Sequence, residues 1–329
     1  MDDNKRQNQD RVNCNKFRPA CWLLAVGYWL LKYARFVTFS HSVFALPFAL
    51  LGAFLAGASR VAASVSAPSA GRFGVELVLV VAAMVAARSA AMAFNRIVDA
   101  RFDAANPRTA ARPLAAGRIT LRQAWGFFAA CVALFFAVSA SFLALGNPWP
   151  IALAGPVLGV LCGYSLSKRF TAWCHVWLGV SLGLSPVAAW VAISPHTFGA
   201  LPLTLGLAVT CWVAGFDILY ALQDAVVDRR LGLRSVPAAV GTAWALRISR
   251  SLHAAALAAL LTTGLLARPW LGGVYAMGLA VAACTLFIEH RLVRPHDFSR
   301  VNNAFFTCNG FMSLLLGGAG IVEVMLTTS

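Results

Sequence analysis

Charge is scarce in this sequence. Only 12% of its 329 residues are Asp, Glu, Lys or Arg, and just 12 are acidic. Soluble domains carry about twice that charged fraction, so a soluble enzyme is excluded, and so is a disordered chain. Cysteine pairs are missing too. The eight cysteines, at 14, 21, 131, 162, 174, 211, 284 and 308, include no CxxC, and most lie in apolar stretches. A secreted disulfide scaffold is excluded, and the cysteines read as small buried hydrophobes. A small-residue cleavage site is absent from the polar residues 1–20, which are expected to form a flexible cytoplasmic tail and not a signal peptide.

What is there instead is hydrocarbon. Hydrophobic residues make up 60% of the chain, and the mean hydropathy is +0.73. Apolar runs near 20 residues recur, each long enough to cross about 30 Å of lipid. They predict one all-α polytopic membrane domain over 21–329. Residues 21–35 are short and end in basic residues, which predicts an interfacial helix. Nine spans follow, at 37–58, 75–94, 124–143, 149–166, 173–193, 199–219, 251–267, 270–288 and 304–324. The runs are continuous and do not alternate, so helices are expected and not barrel strands.

The net charge of +15 does not point to nucleic acid, because the basic residues fall in short loops between spans. With the N-terminus inside, the inner segments hold 23 of the 27 Lys and Arg and the outer segments hold 3; Arg88 lies within a span. That asymmetry predicts a cytoplasmic N-terminus, and nine spans then put the C-terminus outside. Two inner loops, 95–123 and 220–250, are long, and loops of that length are usually functional.

The few acids gather there. Asn95, Asp99 and Asp103 are spaced i, i+4, i+8, which places them on one helix face. Asp217, Tyr220, Asp224 and Asp228, at offsets of 0, 3, 7 and 11, line another. Either group alone reads equally well as a solvated or salt-bridged face. Two matching groups at the same membrane edge predict one inner cavity, and oxygen-rich sets of this kind suit Mg²⁺ shared with substrate phosphates. Asn106-Pro107 should end the first helix and turn the chain, bringing Arg108 and Arg112 towards the aspartates. Lys168 and Arg169 occupy the short inner loop. Mixed acids and bases at one face fit a metal-bound diphosphate.

The segment Asn95-x3-Asp99-x3-Asp103 followed by NPRTAARPL resembles the first signature of the UbiA-type intramembrane prenyltransferases. The segment Asp217-x2-Tyr220-x3-Asp224-x3-Asp228 resembles the second, and Tyr164 to Arg169 is similar to that family's Tyr/Lys segment. The resemblance implies nine helices around a central cavity capped on the cytoplasmic side, with a lateral opening for an isoprenoid tail. It implies transfer of a prenyl group from its diphosphate to an aromatic acceptor. Asn95, Asp99, Asp103, Asp224 and Asp228 would hold two Mg²⁺ and, with Arg108, Arg112 and Lys168, the diphosphate. Asp217 and Tyr220 would lie nearer the acceptor, with Asp217 orienting or deprotonating it. FVTFSHSVFALPFAL (36–50), FDILYALQD (216–224) and NPRTAARPL (106–114) look closest to the quinone-pathway branch, which acts on 4-hydroxybenzoate or on 1,4-dihydroxy-6-naphthoate. The implied partners are a polyprenyl diphosphate, an aromatic acid and the lipid bilayer of the inner membrane; no protein partner is indicated.

A cation-coupled transporter is the reading from a different class, since intramembrane acids often mark ion paths. Its acids usually lie near the midplane, between paired repeats with broken helices, whereas most of these sit at the inner edge. No DDxxD and no DGxxAR motif occurs, which disfavours a soluble-type prenyl synthase and a CDP-alcohol phosphotransferase. Both quinone-branch acceptors carry a carboxylate, for which Arg35 and His41 are candidate partners. His175, His253 and His290 lack metal spacing and read as structural. Asn302, Asn303 and Asp297 read as caps of the last span, and Phe94, Phe102 and Tyr220 as the aromatics bordering a carbocation. The run LLLGGAGIV reads as a close-packing stripe.

Overall fold

The computed structural model describes residues 33, 36–37, 44–63, 70–293, 301 and 304–328. The tail, the interfacial helix apart from Tyr33, and Arg35, His41, Asp297, Asn302 and Asn303 lie outside the described residues. No strand occurs among the described residues, and nine helices of 17 residues or more run through them. In chain order these are α1 (Leu46–Ala62), α2 (Ala70–Val98), α4 (Leu121–Ser141), α5 (Trp149–Ser167), α6 (Cys174–Ile193), α7 (Ala200–Ala221), α9 (Val236–Leu266), α10 (Gly273–Leu292) and α11 (Asn309–Thr328). Two six-residue helices, α3 (Ala100–Ala105) and α8 (Ala225–Arg230), follow α2 and α7. Seven spans meet both the length and the apolarity needed to cross a membrane. Of the other two helices, α1 has 17 residues and α9 carries Arg247 and Arg250. The chain is an integral membrane protein.

Local sequence explains most boundaries. Thr120 and Gln123 close a capping box on α4. Ser235 caps α9, with Pro237 in its first turn. That cap starts α9 well before the span expected at 251, so much of the predicted 220–250 loop is helical. The extra turns are bent at Gly241, whose φ of 77° suits a residue without Cβ. At the start of α10 the backbone N–H groups of Val274 and Tyr275 donate to Glu323 of α11, at 3.1 and 2.8 Å. The orphan donors of one helix are thus satisfied by a carboxylate from another.

Small residues set the packing. A Cβ on Gly52 of α1 would lie 2.7 Å from the Pro186 carbonyl of α6, and one on Gly183 would lie 2.5 Å from the Gly206 carbonyl of α7. Gly317 and Gly320 press on Pro47 and Leu51 in the same way, which bears out the close-packing reading of LLLGGAGIV. At the end of the bundle away from the acid motifs, Arg60 pairs with Glu76 at 2.9 Å and donates to the Ile193 carbonyl at 2.9 Å. This ties α1, α2 and α6 together.

Candidate active site

Both acid motifs sit where a long helix breaks. α2 stops at Val98, and Asp99 (φ −94°, ψ 2°) starts α3. α7 stops at Ala221; a 3₁₀ turn, Leu222–Asp224, follows, and Asp224 (φ −98°, ψ −5°) starts α8. Each break turns the chain while keeping the acids on the inner face. Asn95, Asp99, Asp103, Asp217, Asp224 and Asp228 all line one cavity of about 240 Å³, together with Tyr220, Arg108, Arg112 and Lys168. The residues predicted for the metal, the diphosphate and the acceptor hydroxyl are therefore brought together.

The two walls are laced by cations. α3 ends at Ala105, before the Asn106-Pro107 turn. Past that turn Arg108 reaches the second motif, where Nε donates to Asp224 Oδ1 at 2.9 Å, Nη2 donates to Asp224 Oδ2, and Nη1 donates to the Tyr220 hydroxyl at 2.9 Å. Asn106 adds a bond to Asp224 at 3.0 Å. Arg112 turns back to the first motif and meets Asp103 at 2.5 Å. Asp99 accepts from Asn95 at 3.0 Å and faces Arg169 at 3.5 Å. Asp228 accepts from Ser235 at 2.8 Å and faces Lys168 at 3.9 Å.

These placements bias the charges. Partial burial, then the neighbouring Asp103, raises the Asp99 carboxyl above its ordinary range, with Lys168 and Arg169 pulling the other way. Desolvation opposes the charge of Lys168, but Asp228, Asp217 and Asp224 outweigh it and hold the ammonium above its usual value. Among the described residues no three of His, Cys, Asp and Glu converge as a closed metal cage. The all-oxygen donors are divided between two walls, which fits a hard divalent cation that takes its remaining oxygens from a ligand.

His175 has a partner in the site that its place in the sequence does not show. It is fully buried, its Nδ1 lies 2.6 Å from Asp217 Oδ2, and its Nε2 accepts the Val236 N–H at 3.3 Å. No spacing signal joins His175 to Asp217, because the pair is made by the packing of α6 on α7. His253 and His290 also meet, at 3.0 Å, away from the cavity. Of the three predicted aromatics, Phe102 and Tyr220 line the cavity, whereas Phe94 packs on Trp125 and Phe128 of α4. A second, largely apolar cavity of about 410 Å³ lies among α2, α4, α5 and α6.

Residues 45–315 match the UbiA prenyltransferase family. A 4-hydroxybenzoate octaprenyltransferase of Azotobacter vinelandii is 33% identical over 221 residues, covering 66% of this chain and 71% of the relative. One of Pseudomonas aeruginosa is 33% identical over 232 residues, covering 70% and 75%. The apo structure of a UbiA homologue from Aeropyrum pernix superimposes with a TM-score of 0.70 at 29% identity, covering 88% of this chain and 98% of that one. A UbiA homologue from Archaeoglobus fulgidus bound to DMAPP and Mg²⁺ shares the fold, with a TM-score of 0.65 at 20% identity, covering 90% and 99%. With nine long helices among the described residues, two broken acid-bearing spans and this match over most of its length, the chain belongs to the UbiA prenyltransferase family and is a prenyltransferase.

Proposed function

We propose that the chain transfers a polyprenyl group from its diphosphate to a ring carbon of 4-hydroxybenzoate and releases diphosphate. The observation that carries this reading is the cavity walled by two acid motifs and crossed by Arg108, with a largely apolar cavity beside it. The names of the relatives support the acceptor, and the DMAPP- and Mg²⁺-bound fold neighbour supports the donor and the metal.

Asn95, Asp99 and Asp103 on one wall and Asp224 and Asp228 on the other would hold two Mg²⁺. When bound, the metal neutralises charge on the diphosphate. Arg108, Arg112 and Lys168 bind the diphosphate oxygens directly, Arg108 and Arg112 exchanging their present carboxylates for them. Fixed cations at that place stabilise the leaving group without reorganising at the moment of reaction. Cleavage of the C1–O bond leaves an allylic cation, which the apolar lining and Tyr220 shield from water. The ring carbon beside the hydroxyl bonds to C1, and loss of its proton restores the aromatic ring. Asp217, seven residues deeper than Asp224 and held by His175, orients the acceptor hydroxyl and takes a proton. On this reading the protein works in the inner membrane with the N-terminus and both motif loops cytoplasmic and the C-terminus outside, and requires no protein partner.

The test is turnover by purified protein in nanodiscs with a labelled polyprenyl diphosphate and Mg²⁺, offering 4-hydroxybenzoate and 1,4-dihydroxy-6-naphthoate separately. Prenylated 4-hydroxybenzoate, lost on adding EDTA, is the expected product. Product from the naphthoate alone would move the acceptor assignment, and none from either would overturn it.

A further inference from the structure

Tyr220 has two supports in the cavity wall. One is Arg108, whose Nη1 donates to the Tyr220 hydroxyl at 2.9 Å and whose guanidinium carbon lies 5.1 Å from the ring centroid. The same planar fork holds Asp224 through Nε and Nη2, so it cannot turn to a diphosphate without moving Nη1 as well. The other support is Phe305, whose ring centroid lies 4.3 Å from that of Tyr220. Both rings line the polar cavity. Phe305 carries no charge, so an arriving anion does not compete for it.

Phe305 is fixed by its own surroundings. It is buried, and Phe216 and Phe44 meet it edge-on at 5.2 and 5.5 Å. It belongs to a π-helical turn, Ala304–Cys308, directly before α11. Such turns are rare and occur frequently at functional sites. Asn309, the first residue of α11, sets the register of the turn. Its fully buried amide donates from Nδ2 to the Phe305 carbonyl at 3.1 Å and to Glu289 of α10 at 2.7 Å. Its Oδ1 accepts the indole N–H of Trp212 at 2.8 Å. Trp212 stands on α7, the helix that carries Tyr220. One amide therefore ties the turn bearing Phe305 to the helix bearing Tyr220, and buried hydrogen bonds of this kind hold one arrangement.

The cation formed at C1 can meet two nucleophiles. Attack by the acceptor ring carbon, with loss of that carbon's proton, gives the prenylated acid. Attack by a water oxygen, with loss of a proton to solvent, gives free polyprenol. Diphosphate leaves with the C1–O electron pair in both cases, so the wall that excludes water decides the product. We propose that Phe305, registered by Asn309, is a positioning residue that keeps the Tyr220 ring in that wall once Arg108 has turned to the diphosphate, and so directs the allylic cation to the acceptor and not to water. This inference rests on the prenyl-transfer reading and adds to it what controls the outcome.

The experiment uses the full chain in nanodiscs with labelled polyprenyl diphosphate, Mg²⁺ and 4-hydroxybenzoate in ¹⁸O-labelled water. Polyprenol that carries ¹⁸O reports C1–O cleavage and capture by water, whereas cleavage at phosphorus leaves it unlabelled. The readout is the ratio of ¹⁸O-polyprenol to prenylated acid, which comes from active molecules alone and does not move with general loss of folded protein. Phe305→Ala should raise the ratio roughly 3- to 10-fold, and Phe305→Leu, which keeps the bulk without the ring, should raise it less. Phe305→Ala combined with Tyr220→Ala should leak no more than Tyr220→Ala alone, because both act through one ring. Phe311→Ala, at an exposed position of α11, should match wild type. An unchanged ratio in both Phe305 variants, with only total turnover reduced, overturns the proposal, and so do effects that multiply in the double variant. If Phe305→Ala does not fold, Phe305→Leu decides. Normal wild-type transfer beside a flat ratio refutes only the positioning role. Wild type that prenylates neither 4-hydroxybenzoate nor the naphthoate refutes the reaction and this proposal with it.

Discussion

The Nδ1 atom of His175 stands 2.6 Å from Asp217 Oδ2 while its Nε2 accepts the backbone N–H of Val236 at 3.3 Å. The second bond decides the tautomer. Nε2 is an acceptor, so Nδ1 carries the proton and donates a hydrogen bond to the carboxylate. The deepest acid of the cavity is thereby anchored to the first residue of α9. Replacing His175 with Ala should lower kcat about 10- to 100-fold with little change in the KM for polyprenyl diphosphate, and His175→Gln should restore part of it. Steady-state kinetics of the two variants separate this positioning role from general loss of folded protein, which would lower both alike.

The acids of the two walls should behave as one unit. Asp99→Ala and Asp224→Ala are each expected to reduce Mg²⁺-dependent transfer by about 10³-fold or more, since catalytic groups that act together are not additive. The double variant should be scarcely worse than either single one. EDTA should abolish wild-type turnover, and Mg²⁺ should restore it. Near-normal turnover in either single variant would refute the metal assignment.

The Arg60–Glu76 pair lies at the opposite end, with both side chains buried. Removing one partner strands a buried charge, so Glu76→Ala should destabilise the protein by about 3–5 kcal/mol. The joint change Arg60→Met with Glu76→Leu should lose much less. Thermal unfolding in detergent of the single and the double variant makes the comparison, and equal losses would show that the pairing itself is irrelevant.

Close approach of α6 and α7 requires glycine at 179. A Cβ there would lie 2.3 Å from the Thr210 carbonyl, whereas one on Gly155 would meet nothing within 4 Å. Gly179→Ala should therefore lower Tm by several degrees and disturb the His175–Asp217 pair on the same two helices. Gly155→Ala should leave Tm unchanged or raise it slightly.

Topology has its own test. Ala116 and Arg230 are exposed on the motif side and His196 on the other. Cysteines introduced at 116 and 230 should react with a membrane-impermeant reagent only from the cytoplasm, and one at 196 only from outside. The reverse pattern would invert the orientation.

Sequence alone determined the membrane class, the helical architecture and the membership of the acid set. Each is written in short-range pattern: hydrophobic run length, the scarcity of charge, and helix-spaced carboxylates at two span ends. Even the turn at Asn106-Pro107 that carries Arg108 across the cavity follows from local sterics. Tertiary structure decided the pairings. Which acid Arg108 and Arg112 each meet depends on how two loops fold over one another. His175 finds Asp217 across 42 residues only because glycines let α6 and α7 touch. The early start of α9 depends on a cap at Ser235 that also bonds Asp228.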